Sequence, residues 1–326
     1  MRNFTFKGLL LTAVFMLLGC LSIQAANDDL ITKQITINLD KAGTLPNKIA
    51  SSEMYKITNL KIIGEINGTD WNMIREMAGR DNRGYGTEGK LSVLDLSEAK
   101  IVKGGDSYYP GDNCYTSNDE IGEKAFTDCS RLTSLTLPVG ITSIGYDAFA
   151  YCSGLTSLTL PAGITSIGEY AFSGCSGLTS LTLPAGITSI DKYAFSGCSR
   201  LTSLTLPAGI TSIGEFAFSY CSGLTSIYVY AEKVPRIGRY AFEGCASRKC
   251  TLYVPKGTYD NYRLSEFGYF ENIVEFDATG IDKTTTSTDV EEVSRYSLNG
   301  QRLAVPVKGL NIVKYSDGSA RKVVVK

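Results

Sequence analysis

A unit of 23 residues is copied along the middle of this 326-residue chain, and the copying limits its possible folds more than any other feature. The segment CSGLTSLTLPAGITSIGEYAFSG occupies residues 152–174. Residues 175–197 repeat it with only two changes, Asp191 for Gly168 and Lys192 for Glu169. A period of about 20 to 29 residues is typical of solenoids, in which each coil buries its apolar face against its neighbours. The sequence therefore predicts a stack of coils.

Each copy has an extended half and a returning half. In LTSLTLP, apolar and polar residues alternate as in a short strand with one buried face. Pro161 and its equivalents end this strand, because proline has no N–H for the next ladder bond. AGITSIG adds a second short extended piece, and EYAFSGCSG returns as a short helical turn. The spacing L-x-x-L-x-L recurs at residues 57–62, 91–96 and 224–229. It predicts a β-rich solenoid of about eight coils between residues 50 and 260, with one parallel strand per coil.

The N-terminus has the layout of a secretory signal peptide. Arg2 and Lys7 begin it, an apolar run follows, and SIQAAND supplies small residues for cleavage. We predict that residues 1–26 are a signal peptide and that the mature chain is secreted or lies at the outer cell surface. The motif LLGC, which ends at Cys20, leaves lipoprotein anchoring open. No apolar run after residue 30 has the roughly 20 residues that a transmembrane helix needs.

The segments around the coils predict the remaining organisation. Residues 27–56 form an N-terminal cap, and residues 57–276 form the solenoid with its C-terminal cap, since solenoid ends need atypical covering. Within the early coils, residues 71–78 predict a helix and residues 104–120 a long polar loop. Residues 277–292 are a threonine-rich linker. Residues 293–326 contain Asn299-Gly300 and Asp317-Gly318, which are hairpin signals, and predict a small β-hairpin module.

One cysteine per coil predicts a buried column of thiols, formed by Cys129, Cys152, Cys175, Cys198 and Cys221. Small apolar thiols pack well in such a position, which favours free structural cysteines. Secretion also permits disulfides, and pairing of Cys245 with Cys250 stays open. The clustered spacing of a zinc site is missing, so no metal is predicted.

Composition excludes several classes of function. The chain has no histidine, which removes the commonest general base and metal ligand. Its 32 basic and 33 acidic residues form no basic patch, so nucleic acid is not a predicted partner. We predict no catalytic residues, no cofactor and no enzymatic activity. Three carboxylates of the predicted loop leave a calcium site open, although their spacing matches no known loop: Asp106, Asp112 and Asp119.

Two surfaces are candidate partner-binding sites. Residues on either side of the central strand leucine point outward and form hydroxyl columns, which we call the strand face. Its candidates are Ser157, Thr159, Ser180, Thr182, Ser203, Thr205 and Tyr228, preceded by Ser134 and Thr136. The second surface precedes each AF dipeptide, where aromatic residues alternate with changing neighbours such as Glu169, Lys192, Glu215 and Arg239. Its candidates are Tyr170, Tyr193, Phe216 and Tyr240. Each surface is also explained by duplication or by packing alone, and the threonine array leaves ice binding open.

The combination of LTSLTLP, ITSIG and AF..C at fixed offsets resembles the BspA-type leucine-rich repeat, closely over residues 120–255 and more loosely over 50–119. The resemblance implies a curved solenoid that binds proteins outside the cell, with attachment to host matrix proteins or to other bacteria. It implies no catalytic or motif-defined binding residues. The final segments YSLNGQRL, KGLNIV and KVVVK are similar to C-terminal sorting domains of type IX secretion.

The sequence therefore predicts a secreted or surface-displayed scaffold whose partners are extracellular proteins. A glycan-binding module that assists polysaccharide capture is an alternative, and Trp71, the single tryptophan, weakens it because sugar platforms favour exposed indoles. A structural surface protein with no specific ligand is the other alternative.

Overall fold

The architecture comes from a computed structural model that describes residues 29–109, 114–278, 292–297, 302–303, 309–315 and 320–325. The predicted signal peptide, Cys20, Asp112 and most of the predicted linker lie outside these residues.

The N-terminal part already contains the parallel sheet of the solenoid. Its strands are β1 (Ile35–Leu39), β2 (Asn59–Ile66) and β3 (Val93–Ile101), which pair in parallel. A 3-10 helix (Leu45–Asn47) follows β1, and α1 (Gly68–Met77) follows β2, which confirms the predicted helix. The helix α1 begins with a capping box at Asn67, whose side chain accepts a hydrogen bond from the Thr69 N–H at 3.1 Å. The predicted cap thus contributes a strand of its own.

The prediction of a long loop over residues 104–120 is wrong. The segment contains the antiparallel strands β4 (Gly104–Tyr109) and β5 (Cys114–Thr116), and β4 packs beside α1. Tyr108 is buried and its hydroxyl donates to the Glu123 carbonyl at 3.0 Å. The Asp106 carboxylate accepts a hydrogen bond from the Thr69 hydroxyl at 2.8 Å. Tertiary packing therefore orders a segment that has no alternating apolar pattern.

The regular coils carry two strands each. In chain order they are β6 (Glu120–Ile121), β7 (Ser134–Thr136), β8 (Ser143–Ile144), β9 (Ser157–Thr159), β10 (Ser166–Ile167), β11 (Ser180–Thr182), β12 (Ser189–Ile190), β13 (Ser203–Leu206), β14 (Ser212–Ile213), β15 (Ser226–Val229) and β16 (Arg236–Ile237). The C-terminal end adds β17 (Thr251–Pro255), α2 (Tyr259–Arg263), a 3-10 helix (Glu266–Tyr269) and β18 (Asn272–Phe276).

These strands form two parallel sheets along the solenoid. The main sheet runs β1-β2-β3-β7-β9 and then β11-β13-β15-β17-β18, and the second runs β6-β8-β10 and then β12-β14-β16. The leucine-rich-repeat solenoid is thus confirmed, and eight main strands, β2 to β17, begin between residues 50 and 260 as predicted. The second sheet gives the regular coils two strands rather than one.

The returning segment is a series of turns and contains no helix in the described regular coils. Tyr170 and Gly174 have positive φ values of 58° and 72°. Their amides donate to the next coil, to the Lys192 carbonyl at 3.0 Å and the Ser196 carbonyl at 2.7 Å. The left-handed backbone conformation of these residues therefore points their N–H groups out of the turn. The returning segment forms backbone hydrogen bonds to the next coil, as the strands do.

The core consists of columns of identical residues along the solenoid. Six phenylalanine rings stack with centroids 5.0 to 5.5 Å apart: Phe126, Phe149, Phe172, Phe195, Phe218 and Phe242. The cysteines form a second column, and the thiols from Cys152 to Cys245 donate to phenylalanine carbonyls one coil earlier at 3.0 to 3.4 Å. The seven described cysteines from Cys129 to Cys250 are buried and form no disulfide, Cys245 and Cys250 included. The column is therefore a packing feature, as the period predicts.

Both sheets are interrupted between the two most similar coils. The main sheet stops at β9 and resumes at β11, while the second stops at β10 and resumes at β12. The turn side stays continuous there, with the Phe172 amide 2.7 Å from the Ala194 carbonyl. The two coils therefore remain joined at the turns and at the start of the main strands, where the Thr179 amide donates to the Thr156 carbonyl at 3.3 Å.

The C-terminal segment forms a separate antiparallel sheet in the order β20-β19-β21-β22. Its strands are β19 (Glu292–Ser297), β20 (Arg302–Leu303), β21 (Gly309–Tyr315) and β22 (Ala320–Val325). Both predicted hairpin dipeptides lie outside the described residues.

Candidate partner-binding surfaces

The strand face lies in register on the outside of the main sheet. Ser180, Ser203 and Ser226 are neighbours in one ladder. Thr182 pairs with Thr205. The central residues of these strands, Leu181, Leu204 and Ile227, are buried, so the flanking side chains point outward. The structure therefore brings the predicted hydroxyl residues together as two parallel columns.

The interruption of the sheets divides the strand face. Ser157 and Thr159 lie on β9 and continue toward Ser134 and Thr136 on β7, whereas Ser180 and Thr182 begin the next ladder on β11. All four hydroxyl residues beside the division are exposed, whereas on β7 only Thr136 is exposed and toward β13 and β15 the same positions are half-buried. The most accessible part of the strand face is therefore its centre.

Aromatic residues replace the hydroxyls at the C-terminal end of the strand face. Tyr228 stacks on Tyr253 with ring centroids 4.4 Å apart and planes 5° from parallel. Phe276 meets Tyr228 and Tyr230 edge-on at 6.0 and 5.1 Å. Burial raises the pKa of the Tyr228 hydroxyl above its ordinary value of 10, so the hydroxyl stays protonated further into the alkaline range. This end of the face offers ring surfaces as well as hydroxyl groups.

A different set of threonines stabilises the ladder, and sequence reasoning missed this role. These are the threonines of each LTS segment. The Thr156 hydroxyl donates to the Thr133 carbonyl at 3.1 Å, and the Thr179 hydroxyl donates to the Thr156 carbonyl at 3.2 Å. Thr202 and Thr225 continue the series, each at 3.0 Å. The repeated Thr-x-Ser spacing was the available signal. These threonines hold coils together, while Thr159 and its equivalents flank the buried leucines.

The second predicted surface is a continuous ladder of rings, which we call the aromatic ladder. Tyr170 stacks on Tyr193 at 4.7 Å and Tyr193 on Phe216 at 4.9 Å, with planes within 8°. Tyr146 extends it edge-on at 5.8 Å, and Tyr240 extends it at 5.2 Å. Tyr146 and Tyr240 are 41% and 53% exposed, and the three rings between them are half-buried. The structure thus assembles all four predicted residues and adds Tyr146.

Trp71 and the residues around a surface cavity lie near the N-terminal end of the solenoid. Trp71 is buried and its indole N–H donates to the Ala125 carbonyl at 2.9 Å. A surface cavity of about 710 Å³ beside α1 is lined by Met54, Met73 and Glu76 among others, and the Tyr55 hydroxyl donates to the Glu76 carboxylate. Within the described residues, no group of three or more cysteine, aspartate or glutamate side chains is placed to hold a metal ion.

Helices in the described part of the chain are all too short or too polar to cross a membrane.

Residues 119–249 match the profile of the BspA type leucine-rich repeat region in six copies. This match agrees with the parallel ladders and confirms the resemblance over these residues. No curated protein sequence matches the chain significantly.

Three solved structures illustrate the similarity. A leucine-rich repeat protein of T. pallidum is 31% identical with a TM-score of 0.40, covering 42% of this chain and 63% of that one. A leucine-rich cell surface protein of Faecalibacterium prausnitzii is 23% identical with a TM-score of 0.34, covering 67% and 51%. A leucine-rich repeat protein of Bacteroides ovatus is 23% identical with a TM-score of 0.27, covering 50% and 59%. The chain therefore spans less than two thirds of each of these three proteins.

Proposed function

We propose, from the premise that residues 119–249 are a BspA-type leucine-rich repeat region, that this chain is a protein-binding scaffold displayed outside a bacterial cell. Its partners are host matrix proteins or proteins of other bacteria. The observation that carries the proposal is the strand face, where Thr182 and Thr205 lie in register on a preformed sheet. A rigid surface loses little conformational entropy on binding, which favours recognition of a protein.

The strand face has the chemistry of a polar protein interface. Hydroxyl side chains exchange hydrogen bonds with either donors or acceptors, and they carry no charge that must be desolvated. The rings of Tyr228 and Tyr253 add the kind of aromatic anchor that dominates many interfaces. A partner that crosses several coils thus meets hydroxyls along most of the face and rings at one end.

The termini are part of the proposal. Residues 1–26 act as a signal peptide that exports the chain, with lipidation of Cys20 as the alternative means of anchoring. The four-stranded C-terminal sheet, residues 292–325, acts as a sorting module, on the similarity of its sequence to type IX sorting domains.

A glycan is the second candidate ligand, because the half-buried Tyr228 and Tyr253 add ring surface and phenol hydroxyls to the hydroxyl columns of the strand face. Trp71 contributes nothing to such a platform, since it is buried in the N-terminal cap.

The test of function compares these ligand classes directly. The purified chain is measured against immobilised fibronectin, fibrinogen and bacterial surface proteins, and against a glycan array. Saturable binding to a protein supports the proposal. Binding to the glycan array alone transfers the function to the second candidate, and the absence of binding to either class supports a structural surface protein.

A further inference from the structure

Four charged residues of alternating sign lie beside the aromatic ladder. Glu169, Lys192, Glu215 and Arg239 each precede one ladder ring, so they occupy one position on four successive coils. Backbone hydrogen bonds link these coils in order, from the Tyr170 amide to Lys192 and from the Tyr193 amide to Glu215, each at 3.0 Å. We call these four residues the charge column, and along the solenoid it reads minus, plus, minus, plus.

The charge column is available for an external partner. Among the residues that the structure describes, none of the four side chains lies within 4.0 Å of an opposite charge on this chain. Lys192 and Arg239 are exposed, and Glu169 and Glu215 are half-buried. Arg239 also lies 5.7 Å from the centroid of the Tyr240 ring. Charges of both signs therefore border the aromatic ladder and form no ion pair within the described part of the chain.

Because the charges alternate in sign, the charge column is complementary to a second copy of itself that runs in the opposite direction. In an antiparallel arrangement, Glu169 faces Arg239 of a second copy and Lys192 faces Glu215, and both pairs occur twice. A parallel arrangement instead places each residue opposite its own copy and brings like charges together. Since like charges across an interface are strongly unfavourable, only the antiparallel arrangement is allowed.

We propose that two copies of this chain associate through the aromatic ladder and the charge column, with their solenoid axes antiparallel. The twofold axis runs parallel to the strands and passes between the coils of Lys192 and Glu215. This axis keeps each column opposite the same column of the other copy, as an isologous interface requires. Charges therefore meet charges, and the ladder rings meet ladder rings, with Tyr193 opposite Phe216.

The dimer extends the proposed function without depending on it. Contact through the turn side leaves the strand faces of both copies uncovered. Two identical binding faces in one particle raise the overall avidity for a repetitive surface without new contacts.

Two charge-reversal variants test the interface by complementation. Lys192→Glu and Glu215→Lys each place like charges opposite each other twice in their own homodimers, but a mixture of the two variants has four opposite-charge pairs. By analytical ultracentrifugation of the full chain, we expect each single variant to lose at least about 10-fold in self-association, while the equimolar mixture dimerises. The double variant Lys192→Glu/Glu215→Lys restores complementarity within one chain and should dimerise alone, which also shows that the substitutions fold.

The matched control reverses charges outside the interface. Lys233→Glu and Glu232→Lys make the same charge changes at exposed positions away from the charge column, and each should self-associate as the native chain does. A monomeric native chain overturns the proposal. Self-association that is unaffected by the single variants, or a mixture that fails to associate, overturns it as well. None of these outcomes involves the extracellular partner, so they are distinct from failure of the proposed function.

Discussion

Asp191 occupies the position that Gly168 holds one coil earlier, and both sheets of the solenoid are interrupted between these two coils. The glycine position is tightly enclosed. A Cβ built on Gly168 would lie 2.9 Å from the Gly145 carbonyl carbon, and one built on Gly214 would lie 2.6 Å from the Asp191 carbonyl carbon. A real Cβ at position 191 therefore displaces its coil from the one before it. In the described coils the Gly168 amide donates a hydrogen bond to the Ile144 carbonyl, and the Gly214 amide donates to the Ile190 carbonyl. The corresponding hydrogen bond from the Asp191 amide to the Ile167 carbonyl is absent from these coils.

Replacing the aspartate should close the interruption. In Asp191→Gly, the amide of residue 191 is expected to reach the Ile167 carbonyl and to join β10 to β12. The free energy of unfolding should rise by about 1 kcal/mol, as for other substitutions that relieve overpacking. Urea denaturation measures the stability, and hydrogen exchange of the residue 191 amide reports the new bond.

The reverse substitution is the matched control. Gly168→Asp places a second Cβ against the coil below and should destabilise the chain by about 1 to 3 kcal/mol. Equal stability of both variants and the native chain would show that the Cβ at 191 does not cause the interruption.

The two aromatic columns should differ sharply in their contribution to stability. Phe195 is fully buried and stacks on both neighbours, whereas Tyr193 is half-buried on the surface. We expect Phe195→Ala to lower the free energy of unfolding by about 3 to 5 kcal/mol, because it removes a core ring and leaves a cavity. Tyr193→Ala, two residues away, should cost about 1 kcal/mol. Similar losses in thermal or urea unfolding would contradict the assignment of one column to the core and the other to the surface.

The thiol column should make the fold sensitive to alkali. Burial raises the pKa of Cys129 to about 11 and the pKa values of Cys152 and Cys175 well above their ordinary value of 9. The unfolded chain therefore loses thiol protons at lower pH than the folded chain, so the stabilisation is complete below pH 9 and is lost as the pH rises toward and beyond 11. Urea midpoints between pH 7 and 11 should fall above pH 9, and less steeply in Cys175→Ala.

Chemical labelling gives an independent check of the same burial. At pH 8 the native chain should react with a thiol reagent only as fast as it unfolds, while the chain in urea reacts at once. Fast labelling of the native column would contradict the burial of its thiols.

The carboxylate of Asp70 should determine the stability of the N-terminal cap. It is fully buried and accepts backbone N–H bonds from Gly43, Leu45 and Asn67 at 2.6, 2.8 and 2.9 Å. Asp70→Ala leaves these donors without this acceptor and should cost about 3 kcal/mol or more. The fluorescence of the adjacent Trp71 reports local unfolding of the cap.

An exposed carboxylate supplies the comparison for Asp70. Asp29 forms an exposed ion pair with Lys56 at 2.9 Å, and Asp29→Ala should change stability by less than about 1 kcal/mol. An equally small effect of Asp70→Ala would show that the cap does not rely on its carboxylate.

The repeat period was sufficient to predict the stack of coils, because an inward leucine, phenylalanine or cysteine at each period can be buried only by its equivalent in the next coil. The same period predicted that Thr159, Thr182 and Thr205 share one outer face. The 41% exposed Tyr146 was not predicted as part of the aromatic ladder, since it precedes the ladder position by one residue.

Three features could not be predicted from the pattern, for different physical reasons. The interruption at Asp191 depends on how closely the backbone of the previous coil approaches, which a change of one residue type does not reveal. The β4–β5 hairpin is ordered by contacts with α1 that lie far away in the sequence, such as the Asp106–Thr69 bond. The bonding role of Thr156 and its equivalents depends on a hydroxyl geometry that the neighbouring, outward Thr159 does not share.

The central claim, that the strand face binds the partner, is tested most directly by two triple variants of equal charge. The first variant is Thr159→Lys, Thr182→Lys and Thr205→Lys on the strand face. The second places three lysines on exposed turns beside it, as Ala162→Lys, Ala185→Lys and Ala208→Lys. In surface plasmon resonance against the protein ligand of the native chain, the first variant should bind at least about 10-fold more weakly, because buried unpaired charge is costly, and the second should bind like the native chain. Equal affinities of the two variants would contradict the claim.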